Sequence, residues 1–309
     1  MNTPLSSSIT VKLGSLLAGV TLLMLAGCGA ESTGASYKAT VTMRDSAIVP
    51  GGDSSEPNGN GGTDNGQTPT TASGFGTLTG LVKFVGTVPV LADVAPSKQT
   101  DICKPHKDEA LIVNPENQGV QNVFVWIKKR PKGAEATSVP NAPALFDQQF
   151  CQFKPHAQLV RVEQKIIVKN SDGVAHNTKA STFLSTPFDS GGLPKLSETE
   201  FAYDNAEKQP IVVTCSFHGW MKAWQFPLKH SYAALTGADG RFVLGASPDN
   251  PDGLKLPAGN YKLQVWHESA GSGPPSNRYL EKNRTFTITA NETTDITIDY
   301  PARKASQTN

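Results

Sequence analysis

The sequence predicts an all-β protein built as sandwiches, and two observations carry that prediction. After Phe75 the apolar residues come in short β-branched runs, without the sustained 3.6-residue period that an amphipathic helix needs. Those runs are punctuated by Gly, Pro and Asn, which interrupt regular structure and shape turns. Candidate strands are Leu78–Val85, Gln121–Ile127, Leu159–Val162, Lys165–Asn170 and Ile211–Cys215. Further along come Lys222–Pro227, Arg241–Leu244, Gly259–Trp266, Arg284–Ile288 and Asp295–Tyr300. The 309 residues leave room for two domains, but 28 Gly and 22 Pro with 7% aromatics imply that part of the chain never packs.

The N-terminus opens with a weakly basic stretch containing Lys12, followed by an apolar run from Leu13 to Leu25. That run falls short of the roughly 20 residues that span a bilayer and suits the h-region of a signal peptide. It ends in Leu25-Ala26-Gly27-Cys28, which resembles the lipobox of bacterial lipoproteins. The resemblance implies a signal peptide over 1–27 and acylation of Cys28. Several acyl chains supply the multiple anchors that stable attachment requires. Gly29 in place of Asp favours the outer membrane, so the expected location is the cell envelope, lipid-anchored. An ordinary signal peptide that contains a Cys is the alternative. Lys12 is the one charged residue before Cys28, so the mature part balances 27 acids with as many bases. Such neutrality gives no electrostatic footprint for nucleic acid.

Residues 28–73 read as a disordered tether. Pro50-Gly51-Gly52-Asp53 and Asn58-Gly59-Asn60-Gly61-Gly62 sit among Thr and Pro with almost no apolar side chain. Such a stretch cannot offset its ordering entropy by burial. As a Gly/Ser-like coil it would reach about 37 Å.

Beyond the tether, Gly80-Leu81-Val82-Lys83-Phe84-Val85-Gly86 with Asn122–Trp126 resembles the opening strands of a carboxypeptidase-regulatory-like, or transthyretin-like, sandwich. Thr236–Leu244 and Leu256–Leu263 resemble its later strands, with an Asp-Gly turn at 239–240 and a Pro-x-Gly turn at 257–259. Neither half holds enough strands to close alone. The expectation is one sandwich from 74–142 plus 230–301, with 143–229 inserted, and a disordered tail over 302–309. Tandem small domains are the alternative.

The insert carries Cys215-Ser216-Phe217-His218-Gly219-Trp220-Met221 between two candidate strands. Cys-x2-His-x2-Met offers a thiolate, an imidazole and a thioether on one loop. Zinc rarely recruits Met, whereas copper cycling between two oxidation states suits this graded set. A second imidazole is available at His176-Asn177, after the strand Lys165–Asn170 and a Ser171–Ala175 turn. This arrangement resembles the cupredoxins, the small blue copper proteins, with a loop closest to the amicyanin type.

The resemblance implies a cupredoxin Greek-key sandwich over 143–229 holding one mononuclear type 1 copper. Its ligands would be His176, Cys215, His218 and the axial Met221, with Asn177 bonding across to the Cys loop. It also implies that the His218 edge reaches the surface between Phe217 and Trp220, where electrons would enter and leave. With Cys28 acylated and Cys215 on the metal, Cys103 and Cys151 remain as disulfide partners. Closing their loop of about 49 residues would stabilise by about 4 kcal/mol. His106 and His156 sit in Cys/His motifs with too few cysteines for a structural zinc site. Trp266-His267-Glu268 reads as an exposed strand end, with a surface metal or partner site as its other reading.

The function this implies is single-electron transfer between exported redox partners such as a cytochrome or dehydrogenase. That makes the chain a carrier rather than an enzyme. The rival reading is a copper-binding or adhesive surface lipoprotein with no redox partner.

Overall fold

The computed structural model describes residues 74–134, 138–245 and 254–305. The expected signal peptide, Cys28, the tether and residues 306–309 lie outside them. The strands run in order β1 (Phe75–Val85), β2 (Asp93–Val94), β3 (His106–Lys107) and β4 (Phe124–Ile127). Next come β5 (Ala144–Gln149), β6 (Gln152–Lys154), β7 (Ala157–Arg161), β8 (Ile166–Asn170) and β9 (Lys179–Ala180). They continue as β10 (Phe188–Asp189), β11 (Ser197–Phe201), β12 (Ile211–Thr214) and β13 (Lys222–Leu228). The last are β14 (Ala233–Leu235), β15 (Arg241–Leu244), β16 (Leu256–Pro257), β17 (Gly259–Trp266), β18 (Tyr279–Ile288) and β19 (Thr293–Pro301). Among the described residues there is no α-helix, so the chain is all-β.

Apart from the separate pair β2-β3, pairing sorts these strands into two sets. β1 lies between β15 and β16 and pairs in parallel with β19, while β4 and β17 are central in the order β14-β4-β17-β18. Strands β5–β13 pair only among themselves, as β10-β9-β12-β13-β7 and β11-β8-β5-β6. The chain therefore leaves one sandwich after β4 and returns to it at β14. Gly240, at φ 75°, makes the tight turn before β15, and a Cβ there would meet the Gly119 Cα at 2.4 Å. The two glycines let segments of the outer sandwich, far apart in sequence, cross in contact.

Strand alternation then stacks the sheets in four layers. Val125 and Ile127 of β4, with Leu263 and Val265 of β17, point into a core shared with Leu78, Val82 and Ile298. Phe124, Trp126 and Trp266 point the other way, onto Trp224, Phe226 and Leu228 of β13. The opposite face of that sheet, through Ile211, Val213 and Ala223, meets Phe146, Ile166 and Val168. Strands buried on both faces lose the apolar-polar alternation of half-exposed ones, which explains the unbroken Phe-Val-Trp-Ile run of β4. The seam between the sandwiches is aromatic: Trp126 and Phe226 meet edge to face at 4.7 Å, and Trp224 and Trp266 at 4.8 Å.

Cys103, in the loop between β2 and β3, is bonded to Cys151, which follows β5. The bridge thus ties the loop between β2 and β3, which lies between β1 and β4 in the chain, to the inner set. Residues Ala302–Lys304, expected in the disordered tail, instead form a 3-10 turn, and Ala305 bridges to Ala270. The Lys304 ammonium donates to the Leu280 carbonyl, which gives that turn its anchor.

The shared seam makes the four layers one cooperative unit. Phe226→Ala, which empties a fully buried site touching both Phe124 and Trp126, should cost about 3–5 kcal/mol. Urea unfolding followed by tryptophan fluorescence should show a single transition shifted to lower urea, and two resolved transitions in the wild type would contradict the stack. Buried His230 and His267 are both held down to about 4, first by desolvation, against 6.5 for an exposed imidazole. The unfolded chain takes up these protons first, so their stabilising effect is complete above pH 6.5 and is lost as pH falls towards 4. In that window these two imidazoles by themselves should make the stability of metal-free protein fall with a slope approaching about 2.7 kcal/mol per pH unit. A flat profile there would contradict it.

Candidate metal centre

Two loops at one end of the inner sandwich build the centre. The first follows β8, where the buried Asn170 carboxamide donates to the carbonyls of Val174, Leu193 and Pro194 at 2.8, 3.2 and 2.9 Å. Its oxygen accepts the Asp172 N–H, so one side chain sets the shape of residues 171–176. His176 then exchanges backbone hydrogen bonds with Leu193. The second loop joins β12 to β13, closed by bonds from the Cys215 N–H to the Met221 carbonyl and from the Met221 N–H to the His218 carbonyl.

These loops bring His176, Cys215 and His218 together. The two Nδ1 atoms lie 2.9 Å apart, and Cys215 Sγ lies 3.7 Å from His218 Nδ1. One donor atom from each residue falls within 4.8 Å of the other two, and all three side chains are buried. Imidazole nitrogen and thiolate sulfur bond first-row metals at about 2.0 and 2.3 Å. Each of the two measured separations is shorter than the sum of two such bonds, so one ion can touch both members of either pair. Met221 is buried in the same core cluster as Cys215.

The outer nitrogens strengthen the fit. His176 Nε2 faces the Asp172 carboxylate at 2.8 Å, and His218 Nε2 faces the Gln99 Oε1 at 2.5 Å. Both partners are acceptors, so both rings donate from Nε2 and both Nδ1 lone pairs turn inward. Two lone pairs 2.9 Å apart need a proton or a metal cation between them. A thiolate, two imidazoles and a neighbouring thioether form a donor set suited to copper.

Asn177 links the loops. Its backbone N–H points at Cys215 Sγ at 3.5 Å, and its side-chain oxygen accepts the Ser216 N–H at 2.6 Å. Its amide nitrogen donates to Asp189 at 3.1 Å. These bonds hold Cys215 and His176 in register.

Local charge acts differently on the three donors. Burial alone would raise the Cys215 thiol, but the adjoining His176 and the N–H groups of Asn177, His218 and Phe217 bring it below its ordinary range. Burial opposes a charge on His176 too, yet Asp172 and Cys215 raise it overall. His218 is held down to about 4 by burial and by the charges of His176 and Lys98. At neutral pH the pocket therefore presents a neutral His218, whereas the raised His176 holds its proton more tightly, so a metal would have to compete with a proton there.

Two expectations about the surroundings need correction. The His218 edge does not reach the surface: the ring is 1% exposed because Gln99 lies over its outer nitrogen. Phe217 is exposed at 42%, whereas Trp220 turns its indole N–H to the Cys151 carbonyl at 3.1 Å. His267 is not at an exposed strand end either. It is buried against Tyr300 and accepts the Ser269 N–H on Nδ1. Neighbouring Glu268 is buried and bonds His156 and Lys222, and His106 bonds the Lys104 carbonyl. Asp172 and Gln99 carry no motif of their own. Asp172 lies four residues before a candidate ligand, which is a usable hint, but Gln99 is 119 residues from His218.

No family model and no curated protein matches this chain. Among solved structures, a copper-containing nitrite reductase from Thermus scotoductus SA-01 is 16% identical at a TM-score of 0.27, covering 33% of this chain. This chain covers 26% of that enzyme's length. A purple cupredoxin from Nitrosopumilus maritimus is 18% identical at a TM-score of 0.24, over 28% of this chain and 99% of that one. A reduced Cu(I) amicyanin variant is 14% identical at a TM-score of 0.26, over 34% of this chain and 98% of that one.

Proposed function

We propose that this chain is a membrane-tethered type 1 copper protein that carries single electrons between exported redox partners. The observation that carries the reading is the buried convergence of His176 Nδ1, His218 Nδ1 and Cys215 Sγ. Met221 is the proposed axial ligand, buried beside Cys215. Bound copper would supply a one-electron couple between Cu(II) and Cu(I).

The protein's own contribution is rigidity and dryness. Asn170 shapes the His176 loop and Asn177 ties it to the Cys215 loop. Donors fixed in this way keep one geometry when the charge on the site changes. Burial of all three donor side chains supports a carrier rather than an enzyme, which would need an open position for substrate. Phe217 is exposed within the ligand loop, and Leu196, bonded through its N–H to the Asp172 carbonyl, is 74% exposed. These apolar side chains suit weak docking of a partner through a small interface. The outer sandwich is proposed as carboxypeptidase-regulatory-like, on its Asp239-Gly240 turn and the Pro257–Gly259 segment. Acylation of Cys28 would place the centre in the cell envelope.

Purified chain loaded with Cu(II) should bind one copper and show an intense visible thiolate-to-copper absorption that Cys215→Ser abolishes. Met221→Leu should keep the copper and shift its potential. Voltammetry should give a reversible one-electron wave. A colourless copper-loaded protein would rule out the type 1 site, and coloured protein without a reversible couple would rule out the carrier.

A further inference from the structure

The hydrogen bonds on the outer nitrogens of the two imidazoles both lead back to one covalent bond. Behind His176, the Asp172 carboxylate accepts the Phe150 N–H at 2.7 Å and the Cys151 N–H at 2.8 Å. Behind His218, the Gln99 carbonyl accepts the N–H groups of Ile102 and Cys103 at 2.9 and 2.8 Å. Gln99 itself sits at φ 51°, a left-handed conformation that a residue other than Gly holds only where its surroundings enforce it. Cys103 and Cys151 are the two halves of the disulfide. The Cys151 carbonyl also accepts the indole N–H of Trp220, in the loop that carries Cys215, His218 and Met221.

We infer that Asp172 and Gln99 are positioning residues of the metal centre, and that the Cys103–Cys151 disulfide is the brace that sets both of them. By accepting the Nε2–H of each ring they fix the tautomer that turns the Nδ1 lone pair towards the metal, and they fix the plane of each ring. The division of labour is unequal. Asp172 brings a negative charge to the His176 side, from within the same loop as that ligand. Gln99 brings a neutral amide to the His218 side, from the loop between β2 and β3, a separate strand pair that lies between β1 and β4 in the chain. That loop stays over the centre because the disulfide and the Gln99 turn hold it there. The segment between β1 and β4 thereby contributes a residue to a site whose candidate ligands all belong to the inner sandwich.

This inference rests on the proposed copper site, so its test needs a readout that does not depend on copper. In metal-free, 15N-labelled full-length protein, long-range proton-nitrogen spectra should show neutral His218 with its proton on Nε2. In Gln99→Leu that ring should become a mixture of tautomers while the far-UV circular dichroism stays unchanged. The Cys103→Ser/Cys151→Ser double variant should reproduce the mixture. If that variant fails to fold, Gln99→Leu and Asp172→Asn still decide the matter. With Cu(II) ion as the probe, Gln99→Leu and Asp172→Asn should each weaken binding by about 10–100-fold and move the visible band. Unchanged tautomer and unchanged Cu(II) affinity in both single variants would overturn the inference. Wild-type protein that holds the Nε2–H tautomer yet binds no Cu(II) would instead overturn the proposed copper site and leave the positioning geometry standing.

Discussion

Everything at the centre depends on one constraint: a thiol and two imidazoles are buried against one another, where unpaired polar groups are costly. The chain meets that cost with hydrogen bonds to nearly every exposed edge of the three side chains. Asp172 and Gln99 take the outer nitrogens, the Asn177 N–H faces the sulfur, and the inner nitrogens face each other. Each partner is in turn fixed by backbone groups, so protein hydrogen bonds constrain where the donor atoms lie. Such preorganisation is what a metal that changes charge during its task would require.

The four-layer stack explains how a short inner sandwich supports this. Its outer sheet is covered by the aromatic seam of Trp126, Phe226, Trp224 and Trp266 and does not face water. The two sandwiches therefore share a core in addition to their two chain connections. The disulfide adds a third tie at the end where the centre lies. The loop between β2 and β3 can then serve as the cover of His218, a role that a free-standing inner sandwich would leave to solvent or to a partner.

The parts of this protein that local sequence encodes were readable, and those set by distant packing were not. Strands with β-branched runs, such as Ile166–Asn170, Arg241–Leu244 and Gly259–Trp266, announce themselves because side-chain alternation is a local property. So does the Cys215–Met221 loop, whose three sulfur and nitrogen side chains fall at fixed spacing between two strands. Short or polar strands escaped: Ser-Glu-Thr-Glu-Phe of β11 has no apolar face of its own, and β5 mixes Leu and Phe with Asp and Gln. Their strand character comes from pairing with β8. The cover over His218 was illegible for the same reason, since nothing near Gln99 signals a partner so far along the chain. His267 was misjudged because the end of a strand is exposed only if nothing packs on it, and here Tyr300 does.

The central claim is that one copper is held by the thiolate of Cys215 and the imidazoles of His176 and His218. Copper K-edge X-ray absorption on copper-loaded protein addresses it directly, because it reports the scatterers around the metal itself. The account predicts one short sulfur and two imidazole nitrogens per copper, with the sulfur lost in Cys215→Ser. Copper surrounded only by nitrogen and oxygen in the wild type would contradict it.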